Sequence, residues 1–402
     1  MSRPVFITGY GVISAIGGDG PENFASLRGR KSGYGTLEWL DTRHRDDIRC
    51  CEVKMTDAEL CRRAGIAAGA GYTRTTLLGL VAAKEAIAKA GLTAGEVSRA
   101  GLVSATTAGG IRELETYFEA LQIPGSTGDF IPFLDTADPG EHTERMAEVL
   151  RMKKYLATVS TACSSAANAL IFGARLIKSG LMDCMLCGGS ESLAKVTING
   201  FNALMILDRE HCKPFDRNRC GLNLGEGAAY LVLESERSLR RGGRKAVAEL
   251  IGHANVNDAF HQTASSPDGA GALKAMRKTL DMAGLDASAV DYINAHGTGT
   301  ENNDLSEGLA IQALFGSGAP PFSSTKPYTG HTTSAAGSVE AAFCLLAFEQ
   351  DVLYPNLNFR EPMEELSIRP VTKLKTRAGL QHILSNSLGF GGSATSLLFA
   401  KC

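Results

Sequence analysis

Two stretches of this chain follow the same plan in the same order, which leaves few folds open to it. Lys84–Val97 and Lys278–Val290 each read as a helix, a glycine stop and a short turn. Each then enters an apolar run with strand character, Gly101–Thr106 in the first copy and Tyr292–His296 in the second. Further on, the small-residue segment Ser160–Ala167 is echoed by Thr329–Ala336, and each opens a small-residue helix. A chain of 402 residues built this way divides into two related α/β halves. The change falls near the glycine- and arginine-rich turn Arg241–Lys245, giving halves 1–245 and 246–402. Alternating strands and helices predict mixed sheets covered by helices. If the halves pack about a pseudo-twofold axis, the two equivalent helix starts approach each other. Cys163 and His331 hold equivalent positions there, so the two side chains are expected to meet.

Cys163 stands between the β-rich run Ala157–Ser160 and the helical pattern Ser164–Lys178. A helix N-terminus presents unpaired N–H groups and the positive end of the helix dipole. Both favour thiolate, and such sites bring a cysteine from about 8.5 down to roughly 3.5–7.5. A lowered thiol pKa is therefore expected. Small neighbours, Thr161–Ala162 and Ser164–Ala167, let another group approach the sulfur. For a lone cysteine a buried structural role is the commoner alternative. Two histidine segments shift the balance toward a nucleophile. His296 ends a strand and opens a Gly-Thr-Gly-Thr loop, and His331 lies at the second helix start. Asn386–Gly392 follows the strand Ile383-Leu384, and its glycines allow tight curvature and free N–H groups.

Charge and composition narrow the function classes. A net charge of −2 gives no reason to expect a nucleic-acid partner. No apolar run reaches the length of a membrane span. Met1–Pro4 leads into a strand pattern without a leader-like segment, so the ten cysteines are expected as reduced thiols in the cytoplasm. Cys184 and Cys187 lie in an apolar strand with no second pair at zinc spacing, and read as buried strand cysteines. Val5–Thr8 followed by Gly9, Gly11 and Gly17 misplaces the third glycine of a dinucleotide fingerprint, and reads as a strand leaving through a glycine turn. No metal and no enzyme-bound cofactor is expected.

Taken together, four segments resemble the β-ketoacyl-[acyl-carrier-protein] synthases, on their elongating Cys-His-His branch. They are Cys163 in Thr-Ala-Cys-Ser-Ser, His296 in Asn-Ala-His-Gly-Thr-Gly-Thr, Lys326 and His331 in Lys-Pro-Tyr-Thr-Gly-His, and the Gly-Phe-Gly-Gly around Phe390. Thr8–Ser14, Pro214–Asp216 and Gly225–Gly227 also match, so the resemblance spans nearly the whole chain. It implies a thiolase-like αβαβα layered sandwich, assembled as a homodimer or as a heterodimer with a chain-length-factor-like paralogue. It implies that Cys163 takes an acyl group from an acyl carrier protein. Malonyl-carrier protein then loses CO2, and its carbanion lengthens the chain by two carbons. His296 and His331 would stabilise the enolate, and the backbone N–H groups of Cys163 and Phe390 would form an oxyanion hole. Lys326 and Glu340 match supporting positions, and Asp304 and Glu307 match acidic positions read as structural. Thr298 and Thr300 match contacts to the phosphopantetheine arm, which arrives on the carrier. Ala108, Phe201 and Phe390 are the further substrate-binding candidates.

The chain departs from common relatives at two places. Ala108 stands where elongating relatives often carry a bulkier side chain that limits the acyl pocket. Leu204–Ile206 stands where relatives often carry an arginine that docks the acidic carrier, which leaves Arg62, Arg63, Arg209 and Lys213 as basic candidates. Within the family, Ser160–Asn168 and Asn218–Gly227 look similar to ketosynthases of bacterial aryl-polyene and related pigment clusters. That narrower resemblance implies rigid, unsaturated or aryl-ended chains. Among competing readings, a thiolase acting on CoA esters would carry a second cysteine in Gly389–Gly392, where there is none. A starter condensing enzyme would have asparagine in place of His331. A non-catalytic chain-length-factor-like subunit would lack the nucleophile, and a papain-like hydrolase would leave the second histidine without a purpose.

Overall fold

Glycine shapes the first element of the fold, in a way the sequence pattern misreads. The computed structural model describes residues 3–402. In it, strand β1 (Val5–Ser14) does not turn at Gly9 and Gly11 but continues through them, with a bulge at Thr8 in its pairing. Helix α1 (Arg74–Ala90) lies directly on these two residues. A Cβ on Gly9 would sit 2.4 Å from the Ala86 carbonyl oxygen, and one on Gly11 would sit 2.1 Å from that of Ala82. The glycines therefore permit a close helix–strand contact, and the expected glycine turn is corrected to strand interior.

The first half continues with β2 (Gly101–Ala105), β3 (Leu156–Val159), helix α2 (Ser165–Lys178), β4 (Cys184–Glu191), helix α3 (Lys195–Ala203) and β5 (Gly227–Ser235). The second contributes β6 (Ala248–Asn257), helix α4 (Ala270–Ala283), β7 (Tyr292–Asn294), helix α5 (Glu301–Phe315), β8 (Phe322–Ser323) and helix α6 (Ala336–Gln350). It ends with β9 (His382–Gly389) and β10 (Ser393–Lys401). The strands order as β3-β2-β4-β5-β1-β6-β10-β9-β7-β8. Read outward from the β1–β6 pair, the two sides match strand for strand. On each side two antiparallel pairings are followed by two parallel ones. The β1–β6 seam itself is short, with only Phe6 and Ile7 paired to Glu249 and Ala248.

Apolar packing sets the layers. α2 and α6 lie in the middle, where Ala166, Leu170, Val339 and Phe343 pack with Leu231 and Leu233 of β5 and with Leu397 and Phe399 of β10. The alternate residues of β5, Tyr230 and Val232, face the other way and pack under α1. Likewise Leu384 and Leu398 pack under α4 and α5 through Met276, Leu280 and Ile311. The result is helix, sheet, helix pair, sheet, helix: a thiolase-like αβαβα sandwich with strands buried on both faces. From Ala336 to Phe348 every residue of α6 is buried, which suits a helix enclosed on all sides. Burial of Phe343 and Phe348 stabilises this layer by roughly 1.5–3 kcal/mol each. Cys184 and Cys187 are buried in β4. Among the described residues no helix is long and apolar enough to cross a membrane.

Candidate active site

Central helices α2 and α6 start close to the same place, and the site forms there. Cys163 precedes α2 by two residues. The residue before it, Ala162, has φ +52°, in the left-handed region that costs a residue with a side chain about 1–3 kcal/mol. That backbone is the sharp bend that presents the thiol. Cys163 is nonetheless buried, and burial pushes its pKa up to about 11. The Lys326 ammonium and the backbone N–H groups of Phe390 and Cys163 draw it back, and Glu340 opposes them. The lowered pKa expected from the helix N-terminus is thus corrected. The N–H groups are present, but removal of water from around the sulfur outweighs them.

His296 follows β7 on a loop that is held rigidly. Glu307 of α5 accepts from the backbone N–H of His296 at 2.9 Å and of Gly297 at 2.8 Å, and from the Asn386 amide at 3.1 Å. Gly297 has φ +39°, and a Cβ there would lie 2.6 Å from Ser324, so only glycine makes this turn. Asp304 accepts from the backbone N–H of Phe215 at 2.7 Å and of Gly299 at 3.1 Å. Burial pushes the pKa of both carboxyls up, and these N–H donors pull it down.

Lys326, just after β8, is buried and uses all three of its donors. It bonds Glu340 of α6, the His296 carbonyl oxygen, and His296 Nδ1 at 3.1 Å. An ammonium donating to Nδ1 leaves the imidazole proton on Nε2. His296 is therefore held as the tautomer with an Nε2–H to donate. Glu340 is pushed up to about 7 by burial, against the pull of Lys326. His331 lies edge-on to His296, with ring centroids 5.2 Å apart and planes at 83°. Its Nδ1 is buried without a hydrogen-bond partner. Burial first, then the Lys326 charge, holds both imidazoles well below the usual histidine value, so both are neutral at pH 7.

Cys163, His296 and His331 line one cavity of about 310 Å³, together with Thr298, Thr300 and Phe390. The Thr298 and Thr300 hydroxyls lie 2.9 Å apart. A second, wider cavity of about 720 Å³ is lined by Ala108, Ile111, Ala137, Val196, Leu204 and Thr333. Cys163, Phe201 and Phe390 border both cavities. The rings of Phe201 and Phe390 stack at 5.8 Å between centroids. A thiol at the junction of two cavities, with N–H donors beside it and neutral imidazoles across from it, is equipped to exchange an acyl group. It can also stabilise charge on a carbonyl oxygen brought to the histidines.

Some lining residues carried no sequence signal: Thr263 and Ser265 reach the first cavity from the loop after β6, and Asn303 from the start of α5. Met205, Ile206 and Cys220, from the segments singled out in the sequence, line the same cavity, and Asn386 reaches Glu307 from β9. Of the basic candidates, Arg209 is paired with Asp47 at 2.9 Å and also bonds Asn202 of α3. Arg62 lies 3.9 Å from Glu59, and Arg63 bonds the Gly18 carbonyl oxygen at 3.1 Å. Lys213 is only partly buried, and its backbone N lies near Gly299.

Comparison with known proteins agrees across the chain. Residues 2–238 match the family described as Beta-ketoacyl synthase, N-terminal domain, and residues 247–360 match Beta-ketoacyl synthase, C-terminal domain. Nodulation protein E of Rhizobium meliloti (strain 1021) is 33% identical over 407 residues, covering 100% of both chains. The 3-oxoacyl-[acyl-carrier-protein] synthase 2 of Staphylococcus aureus (strain COL) is 31% identical over 417 residues, covering 100% of this chain and 99% of that one. Among solved structures, the ishigamide ketosynthase/chain length factor superposes with a TM-score of 0.92 at 30% identity over 100% of both chains.

Proposed function

The chain belongs to the β-ketoacyl synthase family, and we propose that it extends acyl chains by decarboxylative Claisen condensation through Cys163, His296 and His331. The relative named for acyl-carrier-protein substrates supports carrier-bound acyl and malonyl groups as the reactants. The observation that carries the residue assignment is the meeting of Cys163, His296 and His331 in one cavity, with the Phe390 N–H beside the sulfur.

Acyl transfer comes first. The Cys163 sulfur attacks the thioester carbonyl of acyl-carrier protein, and the carbonyl oxygen takes the negative charge. The N–H groups of Cys163 and Phe390 are the donors for that oxygen. The carbon–sulfur bond to the carrier breaks, and the thiol proton ends on the departing carrier thiol. Malonyl-carrier protein then enters along Thr298 and Thr300, which flank its phosphopantetheine arm. Its thioester oxygen accepts from His296 Nε2–H and from His331. As CO2 leaves, the electron pair of its bond forms the enolate. The enolate carbon attacks the Cys163 thioester carbonyl, and the Cys163 sulfur leaves as thiolate and takes up a proton from water. The products are 3-oxoacyl-carrier protein, CO2, the carrier protein released in the first step, and free enzyme. Neutral, desolvated imidazoles donate to a developing oxyanion without a proton having to be removed first. Lys326 fixes the His296 tautomer, Glu340 balances the Lys326 charge, and Glu307 and Asp304 hold the loops.

The second cavity takes the acyl chain, and Ala108 leaves it wider than a bulky residue would. Together with the narrower resemblance, this favours rigid, unsaturated or aryl-ended chains over saturated ones. The division into working halves falls between residues 245 and 246. The protein works as a dimer, with a second copy or with a chain-length-factor-like paralogue. The structural relative that pairs a ketosynthase with a chain length factor supports such an assembly. All ten cysteines are free thiols, which suits a reducing compartment, and the cytoplasm is the proposed location. The test is intact-mass analysis after treatment with acyl-carrier protein. One acyl adduct should appear on Cys163 and disappear when malonyl-carrier protein is added. An adduct that persists in Cys163→Ala would overturn the assignment.

A further inference from the structure

The two N–H donors beside Cys163 come from opposite halves of the chain. One belongs to the bend that enters α2, and the other to the turn Phe390–Gly392 between β9 and β10. No covalent link fixes their separation. A row of neutral polar side chains joins the two turns instead. Ser164, immediately after Cys163, is fully buried and donates to the Thr161 carbonyl oxygen at 2.7 Å. Its only proton is thereby used, so the 2.9 Å contact between Ser164 Oγ and Ser393 Oγ has Ser393 as donor. Ser393 opens β10, three residues after Phe390. It accepts in turn from the Asn255 amide of β6 at 3.2 Å. The same amide nitrogen lies 2.8 Å from Asn168 Oδ1 on α2 and 3.0 Å from Thr395 Oγ1, so its two N–H groups are shared among three acceptors. Asn168 donates back to Thr161 Oγ1 at 2.9 Å and lies 3.3 Å from Ser164 Oγ.

The donors therefore run in one direction, from Asn255 through Ser393 and Ser164 to the backbone of the bend. Ser164 directly follows Cys163, and Ser393 closes the three-residue turn that begins at Phe390. We propose that Ser164, Ser393, Asn168 and Asn255 are positioning residues that hold the Cys163 and Phe390 N–H groups at the separation a tetrahedral oxyanion requires. This inference rests on the reading of Cys163 as the acyl acceptor and of those N–H groups as its oxyanion hole. Losing a fixed donor at such a site costs far more than losing an ordinary hydrogen bond. A tie that only keeps the donor in register has an intermediate effect. Neutral hydroxyls and amides suit the task, because their bonds do not vary with pH and add no charge beside a thiol that must ionise.

The test uses the full-length enzyme with Ser393→Ala, Ser393→Thr and Asn255→Leu. The last is nearly isosteric and neutral, and removes the amide without placing a charge near the thiol. Acyl transfer to Cys163 is followed by intact mass, CO2 release is measured from malonyl-carrier protein, and the pH dependence of Cys163 alkylation is recorded. Ser393→Ala and Asn255→Leu should slow acyl transfer about three- to tenfold more than they slow CO2 release, which depends on the histidines. Each should also shift alkylation to higher pH, because a donor has moved away from the sulfur. Ser393→Thr keeps the hydroxyl and should restore acyl transfer. Equal losses in both activities, or Thr behaving like Ala, would overturn the proposal while leaving the Cys163 assignment standing. Failure of the assignment itself would show separately, as an adduct that forms in Cys163→Ala.

Discussion

Alkylation of Cys163 at controlled pH sets two opposing fields against each other. The bend at the start of α2, the Phe390 N–H and the Lys326 ammonium favour thiolate, and burial favours thiol. Burial wins, at about 11. At pH 8 that leaves about three pH units between solution and thiol, so about one Cys163 in a thousand is ionised. Reaction with iodoacetamide should rise about tenfold per pH unit and show no plateau before pH 10. Lys326→Met removes the largest influence that draws the thiol down, so it should slow alkylation at pH 8 and move the profile further up. The variant should fold. Glu340 loses its partner, but its carboxyl already stands at about 7 and moves higher without the ammonium, so it takes up a proton and avoids remaining as an unpaired buried charge. Peptide mapping separates Cys163 from Cys220 and Cys402, the two exposed cysteines, which react first. A wild-type plateau at or below pH 8, or a Lys326→Met profile shifted downward, would refute this balance.

His296→Ala and His331→Ala should each lose CO2 release from malonyl-carrier protein by about a hundredfold or more while retaining acyl transfer; equal, complete loss of both in a folded variant would contradict the division of labour. Because burial holds both imidazoles well below their ordinary value, CO2 release should show no inflection between pH 6 and 7, and a step there would mean that one of them is charged in use. Ala108→Ile should erode a preference for polyenoyl over saturated acyl-carrier protein in kcat/KM by about 10- to 200-fold, the scale of a methylene-sized change in an apolar pocket. An unchanged ratio would remove Ala108 from the specificity wall. Light scattering should report a dimer, and an active monomer would contradict the proposed assembly.

Repetition was legible because it lies in local order. The helix–glycine–strand pattern at Lys84–Thr106 and Lys278–His296 needs only neighbouring residues to be recognised, and it carries over into a sheet whose two sides match strand for strand. Cys163, His296, Lys326, His331 and Phe390 were legible for a related reason, since each sits in a short motif with its own backbone requirement. What neighbours could not decide was anything set by distant groups. Gly9 and Gly11 look like a turn until α1 is laid on them. The thiol of Cys163 looks acidic from its helix position, yet a pKa sums desolvation by every surrounding side chain, and those come from both halves. Ser393 and Asn255 are unremarkable letters until β6, β10 and the start of α2 converge. Sequence by itself set out the repeated plan and the candidate nucleophile and histidines, because periodicity and motif chemistry act over a few residues. Tertiary structure alone decided the upward push on the thiol, the shape of the two cavities and the tie between the two turns, because burial, packing and hydrogen bonding act between residues that the chain keeps hundreds of positions apart.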